Sequence, residues 1–427
     1  MSRYLSITGG TRFSVNHFEY RRGALWAEDV SLSTIADELG TPTYVYSTAT
    51  LTRHFKVLEQ AFAGTSHLLC YSVKANSNLA ILKLFASLGS GFDIVSGGEL
   101  FRVQKAQGDL TKVVFAGVGK KESEMAEALK SGILMFNVES AEELDALDRV
   151  GRASGKAAPF ALRVNPDVDA KTHRYIATGL KTSKFGVPFE EAVALYQKSR
   201  RMRGLHAVGL DCHIGSQLTE TSPVKAALDK VADLFRVLQE KKIPLRYLDV
   251  GGGLGIPYQG ESPPSPDAYA KTVKSSVEHT GAMLILEPGR VLVGNAGVLL
   301  TQVLYRKKSL QKTFVVVDAG MNDLIRPALY QAHHQILPVR EKSRGTPELM
   351  DVVGPVCESS DVLAHQRKMV LPRSGDLWAV MSAGAYGMSM ASTYNSRGRP
   401  AEVLVSGSRY RTIGRRETVE DLISLED

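Results

Sequence analysis

Between residues 67 and 290 the chain alternates short apolar runs with longer segments whose apolar positions recur at helical spacing. The runs are "HLLCYSV", "FDIV", "VVFA", "ILMFNV", "FALRV", "LHAVGLDCHI", "LRYLDV" and "AMLILEP". Segments such as "AEELDALDRV" and "VKAALDKVADLFRVLQEKK" separate them and place their apolar residues on one helical face. Strand and helix in turn predict an α/β fold with a parallel sheet. An open doubly wound sheet uses the same alternation; the count of eight units favours a closed (β/α)8, TIM-like barrel. After about residue 295 the pattern changes to "VLLTQVLY", "TFVVVDAG", "LMDVVGPV", "DLWAVMSAGAY" and "AEVLVSG", β-type runs joined by turn residues. The segment "RFSVNHFEYRRGALWAEDV" near the start has the same hairpin character. The expected organisation is a barrel over residues 46–295 and a β-rich domain formed by residues 1–45 and 296–427.

In a parallel barrel the chemistry gathers at the C-terminal ends of the strands, and the loops after the seventh and eighth often hold phosphate. The first run ends at Lys74 and the sixth at His213; the seventh runs into "VGGGLG" and the eighth into "EPGR". All four signatures therefore fall on one predicted face. An ammonium at the end of a buried strand needs a use. In "GGGLG" the backbone amides stand clear of side chains and can approach a phosphate closely, or they can simply form a tight turn. The pattern is not a dinucleotide fingerprint, because Ile256 stands where the third glycine would be. "EPGR" supplies a carboxylate, Glu287, a rigid turn, the bare amide of Gly289 and the cation Arg290; an internal Glu287–Arg290 ion pair is the simpler alternative. Lysine, amide cradle and carboxylate on one face are together the set that holds pyridoxal phosphate: the amine for a Schiff base, the amides for the phosphate, the acid for the ring nitrogen.

Composition narrows the classes further. With 44% hydrophobic and 23% charged residues the chain has ordinary globular composition, and no run of eighteen apolar residues suggests a membrane span. "MSRYLSITGG" lacks the apolar stretch of a secretory leader, so the expected location is the cytoplasm. Lys and Arg number 52 against 45 Asp and Glu, but the basic residues are scattered without aromatic platforms, which suits small anionic ligands better than nucleic acid. Three cysteines, Cys70, Cys212 and Cys357, form no disulfide framework. Cys70 and Cys212 fall inside predicted strands and read as small buried hydrophobes, whereas Cys357 falls in a loop between β runs. "GMSMAS" and "AHHQ" have no spaced ligand set around them and read as packing and loop, so no metal is expected.

"YSVKAN", "HIGSQ", "GGGLG", "EPGR", "GPVCESSD" and "GAYG" occur in the order found in the barrel-type, pyridoxal-phosphate-dependent amino-acid decarboxylases, and from about residue 17 to the C-terminus the chain resembles that family. The resemblance implies that Lys74 carries the cofactor and that His213 stacks on its ring. Ser216, the amides of Gly251, Gly252, Gly253, Gly289 and Arg290, and the hydroxyl of Tyr386 would hold the phosphate, and Glu287 would keep the pyridine nitrogen protonated. Cys357 would return a proton to the substrate carbon, from the second subunit of a homodimer with shared active sites. The wording is most similar to members acting on diaminopimelate, whose second amino-acid head carries a carboxylate and an ammonium. Arg326 and Tyr330 of "MNDLIRPALY", with Arg290 and Tyr386, would meet the carboxylate, and Glu358 the ammonium. Family members acting on ornithine or arginine typically carry aspartate where this chain has Glu358. An amino-acid racemase shares barrel, cofactor and lysine but leaves "HIGSQ" and "CESSD" unexplained, and a non-catalytic relative would not retain Lys74, Glu287 and Cys357.

Overall fold

The computed structural model describes residues 16–169, 183–341 and 345–426. The eight apolar runs form eight parallel strands: His67–Ser72, Gly91–Ile94, Val113–Phe115, Met135–Val138, Ala158–Asn165, Leu205–Asp211, Tyr247–Asp249 and Met283–Leu286. Each pairs with the next, and the eighth returns to the first through Leu284↔His67 and Leu286↔Leu69, which closes the barrel. Helices such as Ala141–Ala153 and Ser222–Glu240 bury their apolar stripe against the outside of the strands.

The period of two along each strand decides what fills the barrel. Cys70, Val114, Met135, Ala161, Val208 and Ile285 form one apolar cluster drawn from six different strands. Two residues further along their strands, Cys70 gives way to Ser72, Met135 to Asn137, Ala161 to Arg163 and Ile285 to Glu287, all buried. Asp93, Asp211 and Asp249, near the ends of the second, sixth and seventh strands, are buried as well. An apolar plug therefore closes the lower barrel, and a layer of buried polar and charged side chains lies toward the C-terminal ends of the strands.

A second, mixed sheet runs in the order Val362–Val370, Pro347–Val353, Thr313–Val317, Gly297–Lys308, Thr43–Ser47, Ala401–Ser406 and Arg409–Gly414. Thr43–Ser47 thus lies in the middle of this sheet, although it precedes the barrel in the chain. Phe18–Arg21, Ala24–Ala27 and Val30–Ser31 make a separate three-stranded sheet rather than extending the large one. It packs on the large sheet through Leu25, Val30, Val45, Val298 and Val403.

Side chains and backbone of the second sheet's domain clamp the turn that carries Lys74. Asn76 Nδ2 donates to Gly384 O at 3.2 Å, and the Tyr386 amide donates to Ala75 O at 2.8 Å. Asn78 caps the next helix, Leu79–Ser87, by accepting from Ala80 N at 2.9 Å, and its Nδ2 donates to the buried Glu402 at 2.7 Å. Asn78→Ala removes the cap and leaves Glu402 short of a donor. It is expected to cost about 1 to 2 kcal/mol, seen as a drop of a few degrees in calorimetric Tm; an unchanged Tm would show the clamp to be idle.

Candidate active site

Lys74 lies in the short turn Val73–Ala75 directly after the first barrel strand. Its Nζ is 2.5 Å from Asp93 Oδ2, at the end of the second strand, and Ser72 Oγ lies 2.8 Å from the same oxygen. Burial alone would lower the Lys74 pKa, but Asp93 and then Glu287 outweigh it and hold the group well above its ordinary value. The Lys74 side chain nevertheless keeps 39% of its surface exposed, toward an open cavity.

That cavity is lined by Lys74, His213, Ser216, Gly251, Gly252, Gly253, Glu287, Gly289, Arg290 and Tyr386. Residues from five separate motifs meet there, because the first, sixth, seventh and eighth strands all open on the same face and the second sheet's domain brings Tyr386 to it. The glycines are required by close approach. A Cβ at Gly252 would stand 2.1 Å from Glu287 O and one at Gly253 2.4 Å from Gly215 O, while Gly251 and Gly253 hold φ of +65° and +103°. Two amides of the turn already have partners within the chain: Gly251 N–H donates to Asp249 Oδ1 at 3.0 Å and Gly252 N–H to His213 Nδ1 at 3.1 Å. These bonds shape the turn and orient the imidazole. Because His213 Nδ1 accepts, the ring proton is on Nε2; burial, then the Arg163 and Lys74 charges, hold it far below the usual histidine range and neutral. Tyr386 sits at φ +54°, an unusual conformation for a tyrosine, beside Gly289.

At the cavity floor lies a cluster of acids that the sequence reading passed over. Asn137 Nδ2 donates to Asp249 Oδ2 at 3.0 Å and lies 3.5 Å from Glu287 Oε1. Arg163 Nη1 pairs with Glu139 at 3.0 Å, and its Nε is 4.0 Å from Asp211. Burial, followed by the charges of Asp249 and Asp93, pushes the Glu287 carboxyl well above the carboxylate range. The hint in the sequence was a single polar residue inside several of the apolar runs, as in "FDI", "FNV", "LRV" and "LDV". Opposite this floor, Arg290 Nη2 donates to Ser216 Oγ at 3.1 Å and Nη1 to Tyr258 OH at 2.8 Å. The alternative pairing of Glu287 with Arg290 does not occur among the described ion pairs.

The remaining predicted residues lie outside the cavity wall. Arg326 opens the short helix Arg326–Tyr330, which also carries the half-buried Tyr330, and its guanidinium carbon lies 4.6 Å from the centre of the Tyr258 ring that Arg290 also touches. Cys357 and Glu358 stand exposed on the loop between Pro347–Val353 and Val362–Val370, where Cys357 N–H donates to Asn395 Oδ1 at 2.8 Å. Cys70 and Cys212 are buried.

The donor set fits pyridoxal phosphate: a lysine amine, an acidic floor for a cationic ring nitrogen, a flat neutral imidazole, and a glycine cradle with no room for side chains. Barrel and site together define a pyridoxal-phosphate-dependent enzyme acting on amino acids. The family described as "Pyridoxal-dependent decarboxylase, pyridoxal binding domain" matches residues 48–294. A diaminopimelate decarboxylase of Pseudomonas aeruginosa is 51% identical, with 96% of this chain and 98% of the relative covered. One of Vibrio cholerae is 50% identical over 96% and 99%. The crystal structure of the Helicobacter pylori diaminopimelate decarboxylase complexed with L-lysine superposes with a TM-score of 0.90 at 42% identity, covering 92% of this chain and 98% of that one. The chain belongs to the diaminopimelate decarboxylase family.

Proposed function

We propose that the protein is a carboxy-lyase that removes CO2 from meso-2,6-diaminopimelate to give L-lysine, with pyridoxal phosphate held at Lys74. One observation carries this reading: residues from the ends of four barrel strands, with Tyr386 of the second sheet's domain, line one cavity between an acidic floor and a glycine cradle. When bound, pyridoxal phosphate supplies the electron sink that accepts the pair left on the α-carbon as CO2 departs.

The chain's own residues supply position and protons. Asp93 holds the Lys74 amine at the cavity edge, 2.5 Å from its Oδ2. Glu287 would stand toward the ring nitrogen and favour its cationic form, because a positive charge there would relieve the repulsion among Glu287, Asp249 and Asp93. His213, uncharged and in the cavity wall, would cover one face of the ring. Gly253, Gly289 and Arg290 amides, with Ser216 and Tyr386, hold the phosphate, while Gly251 and Gly252 shape the turn through their bonds to Asp249 and His213. Arg290, Arg326, Tyr330 and Tyr386 receive the substrate's distal carboxylate and Glu358 its distal ammonium. Cys357 delivers the proton to the α-carbon.

Exposure of Cys357 and Glu358, together with their absence from the cavity wall, supports a homodimer in which each subunit lends this loop to the other's site. Among the described residues no helix is long and apolar enough to cross a membrane. The proposed setting is the cytoplasm, with a free amino acid as partner rather than a membrane or nucleic acid.

The assignment of Lys74 is tested by reducing the loaded protein with borohydride and mapping the peptides. The pyridoxyl group is expected on the peptide containing "YSVKAN"; a label on any other lysine overturns the site. Evolution of CO2 from diaminopimelate, with no comparable release from lysine, ornithine or arginine, tests the substrate.

A further inference from the structure

Arg326 is only 5% exposed, yet among the described residues no carboxylate pairs with it or with Arg290. A buried guanidinium without a counter-ion is costly, so what holds it in place is informative. Its Nη1 lies 2.8 Å from His334 Nε2, its Nε has no partner, and its plane rests on Tyr258. His334 is fully buried, and its Nδ1 lies 2.8 Å from the carbonyl oxygen of Met381. A carbonyl can only accept, so Nδ1 carries the proton, and Nε2 offers its lone pair to the guanidinium. Burial, then the Arg326 charge, push the imidazole down to about 3, in keeping with this neutral form. The segment "AHHQ" is therefore more than packing.

We propose that His334 is a positioning residue for the substrate's distal carboxylate: a neutral acceptor that fixes the direction of Arg326 without cancelling its charge. This rests on the reading of Arg326 as the distal-carboxylate residue. Aspartate or glutamate at 334 would orient the arginine equally well but would neutralise it, and the incoming carboxylate would meet a second negative charge in a buried place. An alanine would leave the long side chain without a fixed direction. Tyr258 completes the arrangement. Its hydroxyl accepts from Arg290 Nη1 at 2.8 Å, its face supports Arg326, and its ring meets His334 edge-on at 5.3 Å. One ring thus holds two like charges side by side, and their repulsion is relieved when an anion binds between them.

The test compares holoenzymes of wild type, His334→Gln, His334→Ala and His334→Glu. Each is titrated with diaminopimelate and with D-lysine, which offers the reacting amino-acid head but ends in an amine without the distal carboxylate, and the change in cofactor absorbance is followed; kcat/KM for diaminopimelate is measured in parallel. Glutamine can accept through its oxygen and donate through its nitrogen, so His334→Gln should stay within about threefold of wild type, a change smaller than the loss of one hydrogen bond to a charged group. His334→Ala should weaken diaminopimelate about tenfold to thirtyfold, the size of such a loss, while D-lysine binding changes by less than about twofold. His334→Glu should weaken diaminopimelate at least as much as alanine does, although it keeps an acceptor. Glutamate binding diaminopimelate as well as glutamine does would overturn the requirement for neutrality. Equal losses for diaminopimelate and D-lysine would reduce His334 to a structural role. If the alanine variant does not fold, the glutamine and glutamate pair still decides the matter. A wild-type enzyme that fails to bind diaminopimelate at all would remove the functional reading itself, a result distinguishable from both.

Discussion

Arg326→Ala is expected to lower kcat/KM for diaminopimelate by about 2 to 4 kcal/mol in transition-state binding, roughly 30-fold to 1000-fold, the usual cost of truncating one member of a buried charge pair. The size follows from where the arginine sits. Its guanidinium is buried against Tyr258 and fixed by His334, so an incoming carboxylate meets a cation that has already lost its water and most of its rotational freedom. Arg290 alone would remain, and its Nη atoms are occupied by Ser216 and Tyr258. The loss should fall on KM and kcat/KM for diaminopimelate while cofactor loading is unchanged, because Arg326 does not line the cavity that Lys74 faces. Steady-state kinetics with a cofactor absorbance spectrum on the same sample measure both. A kcat/KM that hardly moves would mean that the distal carboxylate is received elsewhere.

The barrel was legible because its signal is repeated. A lone run such as "VVFA" is ambiguous, but eight runs separated by amphipathic segments leave few architectures, and each run holds one parallel strand. Strand ends were less clear. "LHAVGLDCHI" reads as one strand through His213, whereas pairing stops at Asp211, because beyond it the backbone leaves the ladder to meet the glycine turn at Gly252 and Gly253. The residues lining the cavity were legible because chemistry at strand ends comes in compact motifs. The acidic floor was not. Asp93, Asn137 and Asp249 each look like one polar interruption in an apolar run, and only barrel closure turns them toward each other. Tyr258 and His334 were hidden for a related reason: they lie 76 positions apart in irregular segments, and their contact depends on how the second sheet's domain packs on the barrel. Local pattern reveals the elements and their motifs; long-range packing decides which side chains orient others.

Mixing inactive Lys74→Ala with the nearly inactive Cys357→Ala is expected to restore activity. Lys74 belongs to the barrel and Cys357 to the second sheet's domain, and in one chain Cys357 is exposed and absent from the cavity wall. If an isologous dimer carries each Cys357 loop into the neighbouring site, a mixed dimer has one site with both defects and one with neither. With random exchange about half of the dimers are mixed, so recovery should approach about a quarter of wild type. Slow protonation by water gives Cys357→Ala a background that must be subtracted. Native mass spectrometry on the same mixture reports whether mixed dimers have formed, and activity should rise in proportion to them. Mixed dimers without recovered turnover would place Cys357 either in its own chain's site or outside the chemistry, and the exposed loop would then need another explanation.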